Sequence, residues 1–176
     1  MPIFKLPVGR LNTFYYQTPH DTTDLDPALA IINAISTAKD TLYFATYSFT
    51  YKPIADAVLA AHARGVKVYG LIDGTALKSK TTQIPALLAA GIDMRVWGGT
   101  WQLMHDKVFV VDGVTKNAKC GLGSYNWTNQ AQKVNVEVLL ICTGKQVARG
   151  LGPALQAQIT MMREKGRPVV LPPTVG

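Results

Sequence analysis

Apolar residues in this chain form short continuous runs that alternate with segments of helical spacing. The runs are rich in β-branched and aromatic residues, which is typical of buried strands, and they lie at 11–17, 41–47, 66–73, 92–97, 107–112 and 135–141. Helical spacing and helix-boundary residues predict helices at 26–38, 53–64, 85–90 and 145–165. This alternation predicts an α/β fold with a mixed, largely parallel β-sheet and helices on both faces.

The chain has 176 residues, a length that predicts a single domain spanning 1–176. Asp26-Pro27 is typical of a helix start, with an N-cap followed by proline at the first helical position. We expect the core of the domain to run from about 11 to 165. Prolines at 168, 172 and 173 indicate that 166–176 is a tail.

Polar residues at i,i+2 spacing adjoin the apolar runs of the second half of the chain. They form three pairs: His105 and Lys107, Ser124 and Asn126, and Asn135 and Glu137. Side chains two apart on a strand point to the same face of the sheet. If the strands are neighbours, all six polar side chains converge on one site.

Each residue type in this set suits attack on a phosphodiester. Imidazole is a good nucleophile near neutral pH, because much of it is unprotonated there, which makes His105 the candidate nucleophile. Lys107 supplies positive charge to phosphoryl oxygens, and Ser124 and Asn126 donate hydrogen bonds to the same oxygens. Glu137, one of only two glutamates in the chain, is expected to accept a histidine ring N–H and orient that ring.

The order H-x-K-x4-D from His105 to Asp112, followed by G-S-x-N from Gly123 to Asn126, resembles the signature of the phospholipase D superfamily. The chain is most similar to the small bacterial endonucleases of that superfamily, which carry the motif once. Residues 47–50 and 63–68 also resemble segments of those enzymes. One departure is that ten residues separate Asp112 from Gly123, more than the family pattern usually has.

The resemblance covers about residues 26–165 and implies a phospholipase D-like fold. It also implies a phosphohistidine intermediate, no metal or other cofactor, and one active site shared by two protomers of a homodimer. The chemistry points the same way, because the leaving alcohol needs a proton and a second imidazole is the natural donor. The chain has a single H-x-K motif, so a symmetry mate of His105 is the simplest source.

Other residues near the motif are assigned lesser roles. Asp112 falls on the opposite strand face from His105, so we interpret it as structural, accepting hydrogen bonds at the start of the following turn. We expect Ser48 and Lys133 to contact substrate. Trp101 suits stacking on bases of a single strand, and packing explains it equally well.

Charge favours a polyanionic substrate. The net charge is +7, and residues 51–176 hold fifteen of the eighteen basic residues but only seven of the eleven acidic ones. Nucleic acid (DNA or RNA) and acidic lipid both fit this balance, and solubility alone also explains it. We therefore predict an endonuclease, with a lipid phosphodiesterase and a catalytically idle nucleic-acid-binding module as alternatives.

The sequence leaves the cellular compartment open. There is no apolar run of about 18 residues and no signal-peptide core. We therefore expect no stable membrane insertion, and a protein that is cytoplasmic or secreted after leader removal.

Cys120 and Cys142 are interpreted as buried thiols, with a disulfide bond as the alternative if their strands are neighbours. His20 lies among aspartates that helix capping and turns explain better than a metal site.

Overall fold

The computed structural model describes residues 13–17 (backbone), 26–98 and 102–171, and an eight-stranded sheet runs through them. The sheet order is β1-β7-β6-β5-β2-β3-β4-β8. The strands are β1 (Thr13–Gln17), β2 (Thr41–Thr46), β3 (Lys67–Asp73), β4 (Asp93–Trp97), β5 (Lys107–Val111), β6 (Lys119–Gly123), β7 (Glu137–Thr143) and β8 (Arg167–Pro168). Trp101, His20 and the last five residues lie outside the described residues.

Helices cover both faces of this sheet. They are α1 (Pro27–Ser36), α2 (Lys52–Ala63), α3 (Ile84–Ala89), α4 (Asn129–Lys133), α5 (Lys145–Arg149) and α6 (Leu151–Lys165), with a 3-10 turn at Gly74–Lys78. Apolar residues of α1 to α4 pack in one buried cluster, and those of α5 and α6 pack in a second cluster on the opposite face. The predicted mixed α/β architecture with helices on both faces is confirmed.

Parallel pairing is confined to β2, β3 and β4, and it is less extensive than the sequence predicted. Of the seven strand pairs among the described residues, these contribute two parallel pairs and the other five are antiparallel. The physical reason is connection length. Parallel neighbours need a crossover of a dozen or more residues, such as α2, whereas β5 and β6 are joined by a short turn that permits only a hairpin.

Local signals explain most of the helix boundaries. The carboxylate of Asp26 accepts hydrogen bonds from the backbone N–H groups of Ala28 (2.8 Å) and Leu29 (3.2 Å), so α1 begins where its N-cap predicts. The predicted helix at 145–165 is interrupted at Gly150. Residues 167–168, predicted as tail, pair with the edge of β4.

The sequence analysis missed α4, a single polar turn of helix with the sequence NQAQK. It has no apolar periodicity for a pattern to detect. Its N-terminus is held by Thr128, whose hydroxyl oxygen accepts a hydrogen bond from the N–H of Ala131 at 3.0 Å. A cap of this kind satisfies one of the backbone donors left free at a helix start.

One edge of the sheet collects the polar residues of the motif. At this edge β2 ends at Thr46, β5 begins at Lys107, β6 ends at Gly123 and β7 begins at Glu137, and the four strands are consecutive neighbours in the order β7-β6-β5-β2. Thr46 pairs directly with Lys107. We refer to this side as the motif edge. The antiparallel hairpins, together with the reversal between β2 and β5, therefore bring segments far apart in sequence to one place.

Candidate active site

His105 lies at the motif edge, two residues before β5, and its side chain is exposed. Its ring lies against Tyr47, with ring centroids 4.9 Å apart at an interplanar angle of 59°. The backbone on its C-terminal side is fixed, because the N–H of Tyr47 donates to the carbonyl oxygen of Asp106 at 3.0 Å. The imidazole is thus both accessible to a ligand and held from one side by an aromatic ring.

Lys107 is the buried cation of this edge. Only 6% of it is exposed. Its Nζ donates to the carbonyl oxygen of His105 at 2.6 Å and lies 5.4 Å from the ring centroid of Tyr47. Burial lowers the pKa of Lys107, while the carboxylates of Asp106 and Glu137 act in the opposite direction. A poorly solvated ammonium group gains from an arriving anion, since burial disfavours its charge until a partner compensates it.

Ser124, Asn135 and Glu137 form a hydrogen-bonded group beside the lysine. The Ser124 hydroxyl donates to one carboxylate oxygen of Glu137, and the amide of Asn135 donates to the other at 2.9 Å. The same Ser124 oxygen accepts from the N–H of Val138 at 3.1 Å. Glu137 is buried, with 6% exposed, so its charge is stabilised by these donors.

In the described structure the two carboxylate oxygens of Glu137 accept hydrogen bonds from Ser124 and Asn135, and no bond to His105 is present. The role assigned to it, orienting a histidine, stays a prediction. A carboxylate oxygen has two lone pairs, so either oxygen retains capacity for a histidine N–H from a second copy of the chain.

The turn that carries Asn126 is held by a separate packing arrangement. The carbonyl oxygen of its neighbour Trp127 accepts hydrogen bonds from the N–H groups of Thr50 (2.8 Å) and Tyr51 (2.9 Å). The fully buried ring of Trp127 packs edge-on against Phe49 at 5.0 Å. These contacts join the G-S-x-N turn to the segment that carries Tyr47. The side-chain oxygen of Asn126 is buried and has no hydrogen-bond partner in the described structure.

The remaining predicted residues fall in different places. Ser48 is half-buried just after β2, and Lys133 is exposed at the end of α4, near the start of β7. Neither makes a contact that assigns it a role. Trp101 lies outside the described residues. Asp106 faces α6, where its carboxylate accepts from the amide of Gln158 at 3.3 Å.

Asp112 is a structural residue, but its partners differ from the prediction. It lies beyond the far end of β5, about 17 Å along the strand from Lys107. Its carboxylate accepts from the N–H groups of Lys39, Asp40 and Thr41 at 2.9–3.0 Å, rather than from the turn that follows it. The sequence could not show this, because the α1–β2 connection is more than seventy residues away.

Two residues of the site carried no functional prediction. Tyr47 contacts both the His105 ring and the Lys107 ammonium. Asp73, interpreted from sequence as a simple turn residue, reaches the segment before His105 and accepts a hydrogen bond from the N–H of Met104 at 2.9 Å. Aromatic and acidic residues at strand ends are common, so neither had a distinguishing signal in the sequence.

The described residues contain no metal-binding cluster and no membrane-spanning helix, and their two thiols are buried. Within 26–98 and 102–171, no cluster of three or more His, Cys, Asp or Glu side chains is arranged to hold a metal ion. None of the helices described has the length and apolar character needed to span a bilayer. Cys120 and Cys142 are buried free thiols at directly opposite positions of β6 and β7.

The chain is similar to known proteins of one family. Residues 31–156 match the family described as "Cardiolipin synthase, PLD-like domain". The chain is 33% identical over 118 residues to a phospholipase D of Rickettsia conorii, covering 67% of this chain and 56% of the relative. It is 33% identical over 112 residues to a mitochondrial cardiolipin hydrolase of Xenopus tropicalis, covering 64% and 51% respectively. The chain therefore spans about half the length of these curated relatives.

The solved structures include a close fold match of similar size. It is a phospholipase D family member, Nuc from Salmonella typhimurium, with a TM-score of 0.75 and 26% identity over 89% of this chain and 96% of that one. The matched family covers most of the chain, and the matched region contains all three polar pairs of the motif edge. On this evidence the chain belongs to the phospholipase D superfamily of phosphodiesterases.

Proposed function

We propose that this chain is a metal-independent phosphodiesterase that hydrolyses nucleic-acid phosphodiester bonds through a phosphohistidine intermediate at a homodimer interface. The observation that carries the proposal is the convergence at the motif edge of an exposed imidazole, His105, with a buried ammonium group, Lys107. The Ser124–Glu137 hydrogen bond lies beside them. This combination offers a nucleophile and a preorganised site for a phosphoryl group.

In the first step, a ring nitrogen of His105 attacks phosphorus, and the bond from phosphorus to the leaving oxygen breaks. The developing negative charge on the phosphoryl oxygens is stabilised by Lys107 and by hydrogen bonds from Ser124 and Asn126. Lys107 gains most from this charge, because burial lowers its pKa in the free protein. The leaving alcohol takes a proton from a second imidazole.

In the second step, that same second imidazole, now neutral, removes a proton from water. The water oxygen attacks phosphorus, the nitrogen–phosphorus bond breaks, and His105 is regenerated. His62, the other histidine in the described residues, lies in the last turn of α2 and contacts the carbonyl oxygen of Ala90. The last turn of α2 leads to the start of β3, at the opposite edge of the sheet. A second copy of His105 is therefore the proposed acid and base.

Exposed apolar residues beside the site support the dimer. Leu103 is 63% exposed two residues before His105, and Val134 and Val136 are 53% and 57% exposed just before β7. In sequence, Leu103 lies close to His105, and the two valines lie close to Glu137. We propose that a second copy of the chain covers them, because apolar patches of this kind mark association surfaces and the site lacks its second imidazole without that copy.

Nucleic acid is proposed as the substrate because positive charge accompanies the site-bearing part of the chain. Residues 51–176 contain eight more basic than acidic residues. A polyanion bound across such a surface interacts with many of these charges at once.

A lipid phosphodiester is the second candidate, favoured by the names of two relatives, a phospholipase D and a mitochondrial cardiolipin hydrolase. It predicts turnover of anionic phospholipid vesicles with no cleavage of oligonucleotides.

A catalytically idle nucleic-acid-binding module is the third candidate. It predicts salt-dependent binding of oligonucleotides that is equal in the wild type and in His105→Ala. Neither protein would cleave oligonucleotides or phospholipid.

The decisive experiment is cleavage of single- and double-stranded DNA and RNA oligonucleotides, and of cardiolipin vesicles, in excess EDTA. We expect the wild type to cleave nucleic acid and His105→Ala to be inactive. His62→Ala is the matched control, because it removes the other histidine ring described and should retain activity. Loss of cleavage on chelation would contradict the metal-independent mechanism, and activity in His105→Ala would contradict the nucleophile.

Subunit mixing tests whether the site is shared. When wild type is co-refolded with an increasing fraction of His105→Ala, a shared site requires two intact protomers, so activity should fall as the square of the wild-type fraction. Sedimentation should give a dimer. A linear fall in activity, or an active monomer, would contradict the shared site.

A further inference from the structure

The carboxylate of Asp73 connects the end of β3 to the segment that carries His105. Asp73 is 2% exposed and terminates β3. One of its oxygens accepts the N–H and the hydroxyl of Thr75, at 2.9 and 2.7 Å. The other accepts the backbone N–H of Met104 at 2.9 Å, in a buried bond between residues 31 apart in sequence.

His105 follows Met104 directly, so this bond fixes the backbone on the N-terminal side of the histidine. The C-terminal side is fixed by the bond from the Tyr47 N–H to the Asp106 carbonyl oxygen. The carbonyl oxygen of His105 itself accepts from Lys107. The peptide around an exposed side chain is thereby held at three points, although it belongs to no strand or helix.

We propose that Asp73 is a positioning residue for His105, acting through the Met104 N–H, and that Thr75 holds the Asp73 carboxylate in the required rotamer. This inference rests on the proposed function, because it assumes that the ring placement of His105 matters for attack on phosphorus. The physical reason is that a nucleophile displaced by about 1 Å loses on the order of 10²-fold in rate. A loop residue keeps its place only if its backbone is anchored.

Asp112 provides a matched control at the other end of β5. It is also 2% exposed, and it also accepts backbone N–H groups with both oxygens. Asp73→Asn and Asp112→Asn each replace one buried acceptor by an amide that cannot accept all of the same bonds. Their effects on folding should therefore be similar, whereas only Asp73 is connected to the histidine.

The experiment compares both variants by NMR of the imidazole ring signals in the full chain, with His105 assigned from the signals that disappear in His105→Ala. We expect Asp73→Asn to shift and broaden the His105 signals and Asp112→Asn to leave them unchanged. In single-turnover cleavage, Asp73→Asn should lower the rate of the chemical step by about 10- to 100-fold. The KM measured in steady-state cleavage should change little. Asp112→Asn should stay within about twofold of wild type.

Thr75→Val and Thr75→Ser keep the proposal testable if Asp73→Asn fails to fold. Valine removes only the hydroxyl bond to the carboxylate, so a smaller shift of the His105 signals should appear, and serine should restore the wild-type spectrum. The proposal would be overturned if Asp73→Asn and Asp112→Asn gave the same His105 signals. It would also be overturned if the His105 signals of Thr75→Val matched those of the wild type. Cleavage by His105→Ala would instead refute the proposed function, while the ring signals would still decide the role of Asp73.

Discussion

The ring of Tyr47 lies 4.9 Å from the imidazole of His105, centroid to centroid, and 5.4 Å from the ammonium nitrogen of Lys107. A single aromatic side chain thus contacts both charged or chargeable groups of the H-x-K motif. Tyr47 follows the end of β2, and its N–H binds the carbonyl oxygen of Asp106. The contact is therefore built by the antiparallel pairing of β2 with β5.

Removal of the Tyr47 ring should impair catalysis more than removal of its hydroxyl. We expect Tyr47→Ala to lower kcat by roughly 10-fold, because His105 loses the surface on which its ring rests, and Tyr47→Phe to retain most activity. Tyr43→Ala is the control, since it removes a half-buried tyrosine that stacks on Tyr69 in the middle of the sheet. Equal losses in the two alanine variants would show that Tyr47 acts only through stability.

The alkaline limit of activity should depend on Lys107. Burial lowers its pKa, so its cationic form, which holds the phosphate, is lost at a lower pH than in an exposed lysine. We expect kcat/KM to decrease with rising pH, and the decrease to begin at a pH below the one at which an exposed lysine loses its proton. Lys107→Arg, whose guanidinium stays protonated, should move that limit to higher pH, whereas the exposed Lys67→Arg should not. An unchanged limit in the Lys107 variant would contradict this assignment.

Gly123 is required by the close approach of β6 and β7. A Cβ at this position would overlap the carbonyl oxygen of Val138 and lie 2.9 Å from its carbonyl carbon. The strands have little freedom to separate there, because the N–H of Ser124 donates to that oxygen at 3.0 Å. We expect Gly123→Ala to lower the free energy of unfolding by about 1–3 kcal/mol or more and to displace Ser124.

Denaturant unfolding measures that loss. Gly74→Ala is the control, because a Cβ there meets its nearest atoms at 3.7 Å, an ordinary contact distance. Similar stability of the two variants would show that the hairpin relaxes around the added methyl group.

The two cysteines should be unreactive in the folded protein. Burial raises the pKa of Cys120 to about 12 and also raises the pKa of Cys142, so little thiolate exists near neutral pH. We expect no labelling by a thiol reagent at pH 8 under native conditions and two labelled thiols after denaturation. Fast native labelling would contradict the burial, and no labelling after denaturation would indicate a disulfide bond.

The sequence could select the candidate residues of the site because each polar pair is a local pattern beside an apolar run, although of the six only Lys107 and Glu137 lie within strands. His105, Lys107, Ser124, Asn126 and Glu137 could all be selected from runs of a few residues. The mixed fold followed from alternating strand and helix patterns in the same way. The start of α1 was correct because its cap, Asp26, lies within three residues of the bonds it accepts.

Contacts between distant segments required the tertiary structure. The partners of Asp112, the link from Asp73 to Met104, and the packing of Tyr47 on His105 join residues between 31 and 73 positions apart. The antiparallel share of the sheet was decided by the lengths of the connections and by the position of β5 beside β2. Periodicity in the sequence specifies which face of a strand is buried, but the neighbour of that strand depends on how the whole sheet is assembled.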